Sequence, residues 1–121
     1  MAVGEGNLAH LQAVPGVRLG TVSAGIKTPG RQDLVLIEIA SDTRCAAVFT
    51  RNAFCAAPVT VARENLRCCG HQPRYLLINT GNANAGTGPA GMAAAHACVA
   101  AVAAMAGVDT HSVLPFSTGV I

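Results

Sequence analysis

The sequence has no tryptophan, one tyrosine and three phenylalanines, so aromatic residues make up only 3% of its 121 residues. Charged residues are also scarce, at 12%, and the formal net charge is +2. Nucleic-acid-binding surfaces need clustered basic residues and aromatic side chains on which bases stack, so this composition argues against such a surface. Hydrophobic residues make up 51% of the chain, which excludes intrinsic disorder because disordered chains combine low hydrophobicity with high charge.

Signals for export, membrane insertion and metal binding are absent or weak. Met1–His10 has neither a basic region nor an apolar core, so a secretory signal is not indicated. The longest apolar run, Ala90–Val108, is dominated by weakly lipophilic alanine, and we expect a core helix there rather than a membrane span. None of the five cysteines forms a C-x-x-C pair, so we expect free thiols in a reducing cytoplasm and no metal site.

Short apolar runs bounded by turn residues predict four β-strands. The run D-L-V-L-I-E-I-A is β-branched and nearly continuous, as in a strand buried over most of its length. A turn cluster at 41–43 separates it from R-C-A-A-V-F-T, and we expect these two runs to pair as an antiparallel hairpin. Residues 1–32 lack clear periodicity apart from a short apolar stretch, Val14–Val22. The four predicted strands are Asp33–Ala40, Arg44–Thr50, Tyr75–Ile78 and Ser112–Ser117.

Two segments are candidates for helices. Pro58–Cys68 is ambiguous, because β-branched residues in its first half favour a strand while helix formers after a proline favour a helix. Ala90–Ala106 is clearer, since Pro89 stands where a helix begins and Gly107 where it ends. On its face, His96 is interpreted as a hydrogen-bonded core or interface residue. No repeat or linker divides the chain, so residues 1–121 are predicted to form one domain of the α/β or α+β class.

A glycine-rich stretch suggests one possible ligand. Gly86 to Gly91 reads G-T-G-P-A-G, the spacing of dinucleotide-binding loops, and Asp109 lies 18 residues further on. In such sites the first glycine turns directly off a strand, so that the pyrophosphate meets the helix N-terminus. Here seven residues separate Ile78 from Gly86, and no second strand precedes Asp109. A nucleotide-binding module is therefore kept only as an alternative.

The pair Thr118 and Gly119 follows the last predicted strand. A glycine lets the backbone N–H point outward without obstruction by a Cβ, and a neighbouring hydroxyl supplies a second donor. Two converging donors stabilise an oxyanion. Many strands end in such a pair, so by composition alone it indicates a catalytic site only weakly.

Three blocks of the sequence, taken in order, resemble those of a known enzyme family. They are F-T-R-N-A-F-C-A-A-P-V at 49–59, I-N-T-G-N-A-N-A at 78–85 and S-T-G-V-I at 117–121. The segment Val17–Lys27 is similar to the start of the same family. This family is that of the bifunctional ornithine acetyltransferases/N-acetylglutamate synthases of arginine biosynthesis. Many members carry Ser and Cys where this chain has Thr80 and Gly86.

The resemblance implies a fold, a reaction and a partner. Family members are made as a precursor that cleaves itself before a threonine, and their α and β chains form a layered αββα sandwich similar to that of N-terminal-nucleophile enzymes. The freed threonine of the β chain takes an acetyl group from N-acetylornithine and passes it to glutamate, and some members also use acetyl-CoA as a co-substrate. No cofactor or metal is implied. Thr118 and Gly119 match the family's oxyanion-hole pair, and the resemblance implies a cytoplasmic heterotetramer of α and β chains.

The chain stops at Ile121 without a counterpart of the nucleophilic threonine, so we expect an N-terminal part of the α chain that is inactive alone. The helix Ala90–Ala106 is apolar on most of its circumference and the strand Asp33–Ala40 on both faces. We therefore expect the β chain to cover a large apolar area of this chain. A self-cleaving aminopeptidase of the same architecture, which hydrolyses rather than transfers, remains the alternative enzyme.

Overall fold

The strands form one mixed four-stranded sheet, in which their spatial order follows their order along the chain. The computed structural model describes residues 12–119. The strands are β1 (Val17–Val22), β2 (Leu34–Ile39), β3 (Tyr75–Thr80) and β4 (Val113–Thr118), and the helices are α1 (Ala57–Cys68) and α2 (Gly88–Ala106), followed by a short 3-10 helix, Thr110–Ser112. β1 to β3 are antiparallel neighbours, whereas β3 and β4 are parallel. The parallel pair needs a long crossover, which α2 supplies.

The segment Pro58–Cys68, ambiguous in the sequence, is helical and belongs to α1. Pro58 lies in its first turn, where a missing N–H costs no hydrogen bond. Its buried residues recur every three or four positions, as one face of a helix requires, whereas a strand buries alternate residues. They are Ala57, Pro58, Val61, Ala62, Asn65 and Leu66. The buried Asn65 side chain donates to the Val113 carbonyl at 2.8 Å and thereby joins α1 to the start of β4.

α2 agrees with its prediction at both ends. Gly107 follows it in the left-handed conformation, with φ of 66°, and its N–H donates to the Ala103 carbonyl. Val99 and Ala103 lie in the core, but His96 is exposed. Its interpretation as a core residue is wrong, and the interface role stays a prediction. Among residues 12–119, α2 is the one helix long and apolar enough to cross a membrane by length and composition. Part of its apolar surface is buried in the core.

The core consists of two clusters on opposite faces of the sheet. Val61, Val99 and Val113 lie at the centre of the first, where both helices meet β3 and β4. Leu66 and Leu114 belong to the second, against which Phe49 packs. Successive residues of a strand point to opposite faces, so Val113 and Leu114 each contribute to a different cluster.

The predicted strand Arg44–Thr50 is wrong, and so is its hairpin with β2. Both edges of β2 are occupied, one by β1 and the other by β3, and residues 43–52 have no regular secondary structure. The segment instead runs beside α1. The Arg63 guanidinium donates to the Thr50 carbonyl at 2.9 Å and lies 5.3 Å from the centre of the Phe49 ring. Of its apolar side chains, Cys45 and Phe49 pack against the second core cluster, whereas Val48 is 99% exposed.

β1 was not predicted, because its residues carry little strand signal of their own. The sequence V-R-L-G-T-V contains an arginine and a glycine, and all six residues are exposed. Pairing with β2 supplies what the sequence lacks, since Val17 to Val22 oppose Ile39 to Leu34 in continuous register. Arg18 also forms an ion pair with Glu38 across this register. An edge strand of this kind is determined by its neighbour rather than by its own hydrophobic pattern.

Candidate functional site

Thr118 and Gly119 lie where the two parallel strands end side by side. Thr80, the last residue of β3, is opposite Thr118, the last residue of β4. The glycine- and asparagine-rich loop at 81–87 leaves the sheet at this same edge. The strand ends and the loop therefore form one site, to which two of the three sequence blocks contribute.

The peptide between Thr118 and Gly119 has a defined orientation. Its carbonyl, that of Thr118, accepts a hydrogen bond from the Gly81 N–H at 2.9 Å and so points towards β3. In a trans peptide the carbonyl and the N–H point in opposite directions, and the described residues contain no cis bond. The Gly119 N–H consequently points away from β3, towards the open edge of the sheet.

Both potential donors of the pair are free within residues 12–119. The Thr118 hydroxyl and the Gly119 N–H donate to no other described residue. The Thr118 side chain is exposed, and strand alternation places it on the same face as Leu114 and Phe116, opposite to that of Val113. The site thus offers two adjacent donors to a ligand at the sheet edge.

Gly119 fits its position only because it has no side chain. A Cβ at this residue would lie 2.9 Å from both the Gly81 carbonyl carbon and the Asn82 nitrogen. Those are backbone atoms, which cannot turn away as a flexible side chain can. The close approach therefore links the Thr118–Gly119 pair directly to the loop that follows β3.

Asparagine side chains hold this loop in shape. The Asn79 amide donates to the Asn82 carbonyl at 2.9 Å, and Asn82 Oδ1 accepts from the Asn84 N–H at 2.9 Å. Asn84 has a φ of 50° and donates to the Gly91 carbonyl at 2.9 Å. The block N-T-G-N-A-N-A, noticed in the sequence as a resemblance, is thus a set of internal loop contacts.

Asp33 holds a second segment, residues 24–27, beside the loop at 81–87. Its buried carboxylate accepts hydrogen bonds from the Ala24 N–H at 2.6 Å and the Ile26 N–H at 2.7 Å. These bonds, that of Ala24 first, hold the pKa of the Asp33 carboxyl below its usual range. They bring Lys27 against the loop, since a Cβ on Gly81 would lie 3.0 Å from the Lys27 Cβ. Sequence reasoning missed Asp33 because it reads as the first residue of a buried strand.

The glycine pattern at 86–91 has a different role from the one its spacing suggests. A Cβ on Gly86 would lie 2.8 Å from the Phe54 ring, so that ring occupies the space beside the turn. The Thr87 hydroxyl donates to Asn84 Oδ1 at 2.5 Å, so this donor is not available to a pyrophosphate. Asp109 precedes the start of β4, at the edge of the sheet opposite Thr80 and Thr118. This geometry does not fit a dinucleotide site.

Comparison with known proteins places this chain in a family. The ArgJ family model matches residues 18–121. The chain belongs to the ArgJ family. The resemblance identified from the three sequence blocks is therefore confirmed, and with it the assignment to arginine biosynthesis at the level of the family.

Two curated relatives show how far the similarity extends. The chain is 59% identical over 117 residues to the arginine biosynthesis bifunctional protein ArgJ of Methylococcus capsulatus, covering 95% of this chain and 28% of that protein. It is 54% identical over 121 residues to the protein of the same name from Pseudomonas syringae pv. tomato, covering 100% of this chain and 29% of that protein. The chain thus spans less than a third of the length of these relatives.

Solved ArgJ structures confirm the fold class. The arginine biosynthesis bifunctional protein argJ from Bacillus halodurans superposes with a TM-score of 0.82 at 33% identity, over 88% of this chain and 55% of that chain. The ornithine acetyltransferase from Mycobacterium tuberculosis, solved in complex with ornithine, gives 0.76 at 40% identity, over 88% of this chain and 57% of that chain. The described residues contribute a sheet and its helices to the layered arrangement predicted from the resemblance.

Proposed function

We propose that this chain supplies the oxyanion hole of an acetyltransferase that transfers an acetyl group from N-acetylornithine to glutamate. Membership of the ArgJ family supports the reaction. The observation that carries the assignment to this site is the orientation of the Thr118–Gly119 peptide. Its carbonyl is held by Gly81, so the N–H points outward beside an exposed hydroxyl. These groups match the donors that acyl transfer requires.

The proposed mechanism divides the chemistry between this chain and the rest of the enzyme. An N-terminal threonine of the β chain attacks the acetyl carbonyl of N-acetylornithine, with its own α-amine as the base. The carbonyl oxygen becomes an oxyanion, which accepts hydrogen bonds from the Thr118 hydroxyl and the Gly119 N–H. Loss of ornithine leaves an acetyl-threonine, which glutamate then attacks to give N-acetylglutamate. Neither half-reaction needs a metal or a cofactor, and acetyl-CoA would enter only as an alternative acetyl donor.

An assay of the complete enzyme with N-acetylornithine distinguishes transfer from hydrolysis. We expect ornithine release to depend on glutamate and N-acetylglutamate to form in equal amount, with a threonine carrying one acetyl group detectable by mass spectrometry when glutamate is omitted. Rapid release of ornithine and acetate without glutamate would instead support the hydrolase alternative. The control reaction replaces glutamate with glutamine, which lacks the second carboxylate.

The remainder of the enzyme is also proposed to cover apolar surface that this chain leaves open. On the sheet face opposite α2, Leu19 is 65% exposed and Phe116 40% exposed. On the outer side of α2, Met105 is 81% exposed among alanines that are exposed as well. Large apolar side chains left exposed on one face favour an interface there. We propose a β chain against the open sheet face in a heterotetramer, located in the cytoplasm, where the free thiols of this chain stay reduced.

Expression of residues 1–121 alone tests this interface. We expect aggregation, or a chain without a cooperative thermal transition, and recovery of soluble protein when the remaining part of the enzyme is co-expressed. Leu19→Lys is the matched variant, because it places a charge on the open face at a strand edge. It should improve the solubility of the isolated chain and weaken its association with the remainder. A monodisperse wild-type monomer with a cooperative transition would contradict the proposed interface.

A further inference from the structure

The loop after β3 is tied to the end of β4 by one pair of side chains that touches neither proposed donor. Asn79 and Ser117 are opposite each other in the parallel register of β3 and β4. The Ser117 hydroxyl donates to Asn79 Oδ1 at 2.5 Å, and Asn79 Nδ2 donates to the Asn82 carbonyl at 2.9 Å. A carbonyl can only accept, so this orientation of the amide is the one that satisfies both partners.

These bonds connect the loop to the peptide that carries the proposed oxyanion donor. Asn79 holds Asn82, whose nitrogen lies against Gly119, and the preceding residue, Gly81, donates to the Thr118 carbonyl. Gly81 has a φ of 106°, a conformation that favours glycine. Because glycine adopts many backbone conformations with similar ease, the shape of the loop depends on the contacts made by its neighbours. A shift of the loop would turn the Thr118–Gly119 peptide and with it the Gly119 N–H.

We propose that Asn79 and Ser117 are positioning residues that orient the Thr118–Gly119 peptide for oxyanion stabilisation. This inference rests on the proposed function. Neither side chain contacts the acetyl group in this proposal; they act through the loop and through Gly81. Because the oxyanion exists only after attack, loss of the pair should lower kcat while KM for N-acetylornithine stays within about twofold.

Asn79→Asp in the complete enzyme removes one bond of the pair selectively. A carboxylate still accepts from Ser117 but faces the Asn82 carbonyl with no donor. We expect kcat to fall at least about 10-fold, because small displacements of a preorganised group cost up to about 100-fold. Asn82→Asp is the matched control, since it adds the same charge to the same loop while its Oδ1 still accepts from the Asn84 N–H. Its loss should be at least about threefold smaller than that of N79D. Equal losses for the two variants would overturn the inference.

If N79D does not fold, a second pair of variants tests the positioning role. Ser117→Ala removes the hydroxyl, and Ser117→Thr retains it on a residue suited to strands. We expect S117A to lower kcat about threefold to 10-fold, in line with a loss of orientation rather than of a donor, and S117T to keep it. Thermal melting and precursor cleavage show whether each variant is folded. A wild-type kcat for S117A, or a loss expressed in KM alone, would overturn the inference.

Thr118→Val, measured in parallel, separates this inference from the proposed function. A large loss for T118V without a loss for N79D and S117A would overturn the positioning role and leave the oxyanion hole in place. Normal kcat for T118V would overturn the oxyanion hole and the positioning role together. Losses for T118V, N79D and S117A, with S117T close to wild type, would support both.

Discussion

Thr118→Val is expected to lower kcat of the complete enzyme about 100-fold, the effect of removing one oxyanion donor, equivalent to about 2.7 kcal/mol of transition-state stabilisation. Valine has the shape of threonine without its hydroxyl, and its β-branched side chain suits the last position of a strand. No described residue accepts a hydrogen bond from this hydroxyl, so its removal leaves no partner of the folded chain unsatisfied. Stability should therefore change little. The measurement is kcat with N-acetylornithine and glutamate, together with thermal melting and gel analysis of precursor cleavage.

The control for Thr118→Val is Thr21→Val. Thr21 lies on the same face of the sheet, one residue before the end of edge strand β1, and is exposed like Thr118. The same substitution there should leave kcat and the thermal midpoint as in the wild type. Unchanged kcat for a folded and cleaved T118V enzyme would rule out the assignment of Thr118 to the oxyanion hole.

Gly119→Ala is expected to have an effect at least as large on kcat and, unlike Thr118→Val, to lower stability as well. The φ of Gly119 is outside the left-handed region, so alanine is not excluded by its backbone conformation. The cost arises from the Cβ, which would lie 2.9 Å from backbone atoms of Gly81 and Asn82. Either the loop or the Thr118–Gly119 peptide must move, and overpacking of this kind costs about 1–3 kcal/mol. A displaced N–H donor then costs up to about 100-fold in rate in addition to any loss from the hydroxyl.

Gly20→Ala provides the matched control for Gly119→Ala. Gly20 lies within β1 and, like Gly119, has a φ outside the left-handed region, but nothing lies within 4 Å of its ideal Cβ. We expect the G20A enzyme to keep its kcat and thermal midpoint. A G119A enzyme with normal kcat would show that the peptide tolerates displacement and that its N–H is not a donor in the reaction. Normal stability with reduced kcat would show that the loop accommodates the methyl group at the expense of donor geometry alone.

The elements that the sequence predicted well are those whose signals are local. β2 and β3 each contain a run of four residues without charge that begins the strand, L-V-L-I and Y-L-L-I, and α2 carries a proline at its start and a glycine in the left-handed conformation after its end. These features depend on residues a few positions apart, so they can be recognised without knowing the fold. The pair Thr118 and Gly119 was also named from the sequence, but its significance came from the resemblance rather than from composition.

The errors and omissions concern contacts between distant parts of the chain. Arg44–Thr50 has the composition of a strand, but the edge of β2 that it would need is occupied by β1, whose own sequence carries almost no strand signal. His96 lies on a helix that is apolar nearly all round, so periodicity did not show which side would face the sheet. Competition for one strand edge and the choice of a helix face are decided by the whole fold.

The sequence by itself determined the family, the course of β2, β3 and α2, and the residues of the candidate oxyanion pair. Only the tertiary structure decided how that pair is held. The parallel register brings Ser117 opposite Asn79, the Gly81 N–H orients the Thr118 carbonyl, and Asp33 places Lys27 against the loop. The physical reason is that a backbone N–H is a catalytic donor only when its peptide is oriented. That orientation comes from hydrogen bonds between strands and loops far apart in sequence. Local residue spacing therefore does not predict it.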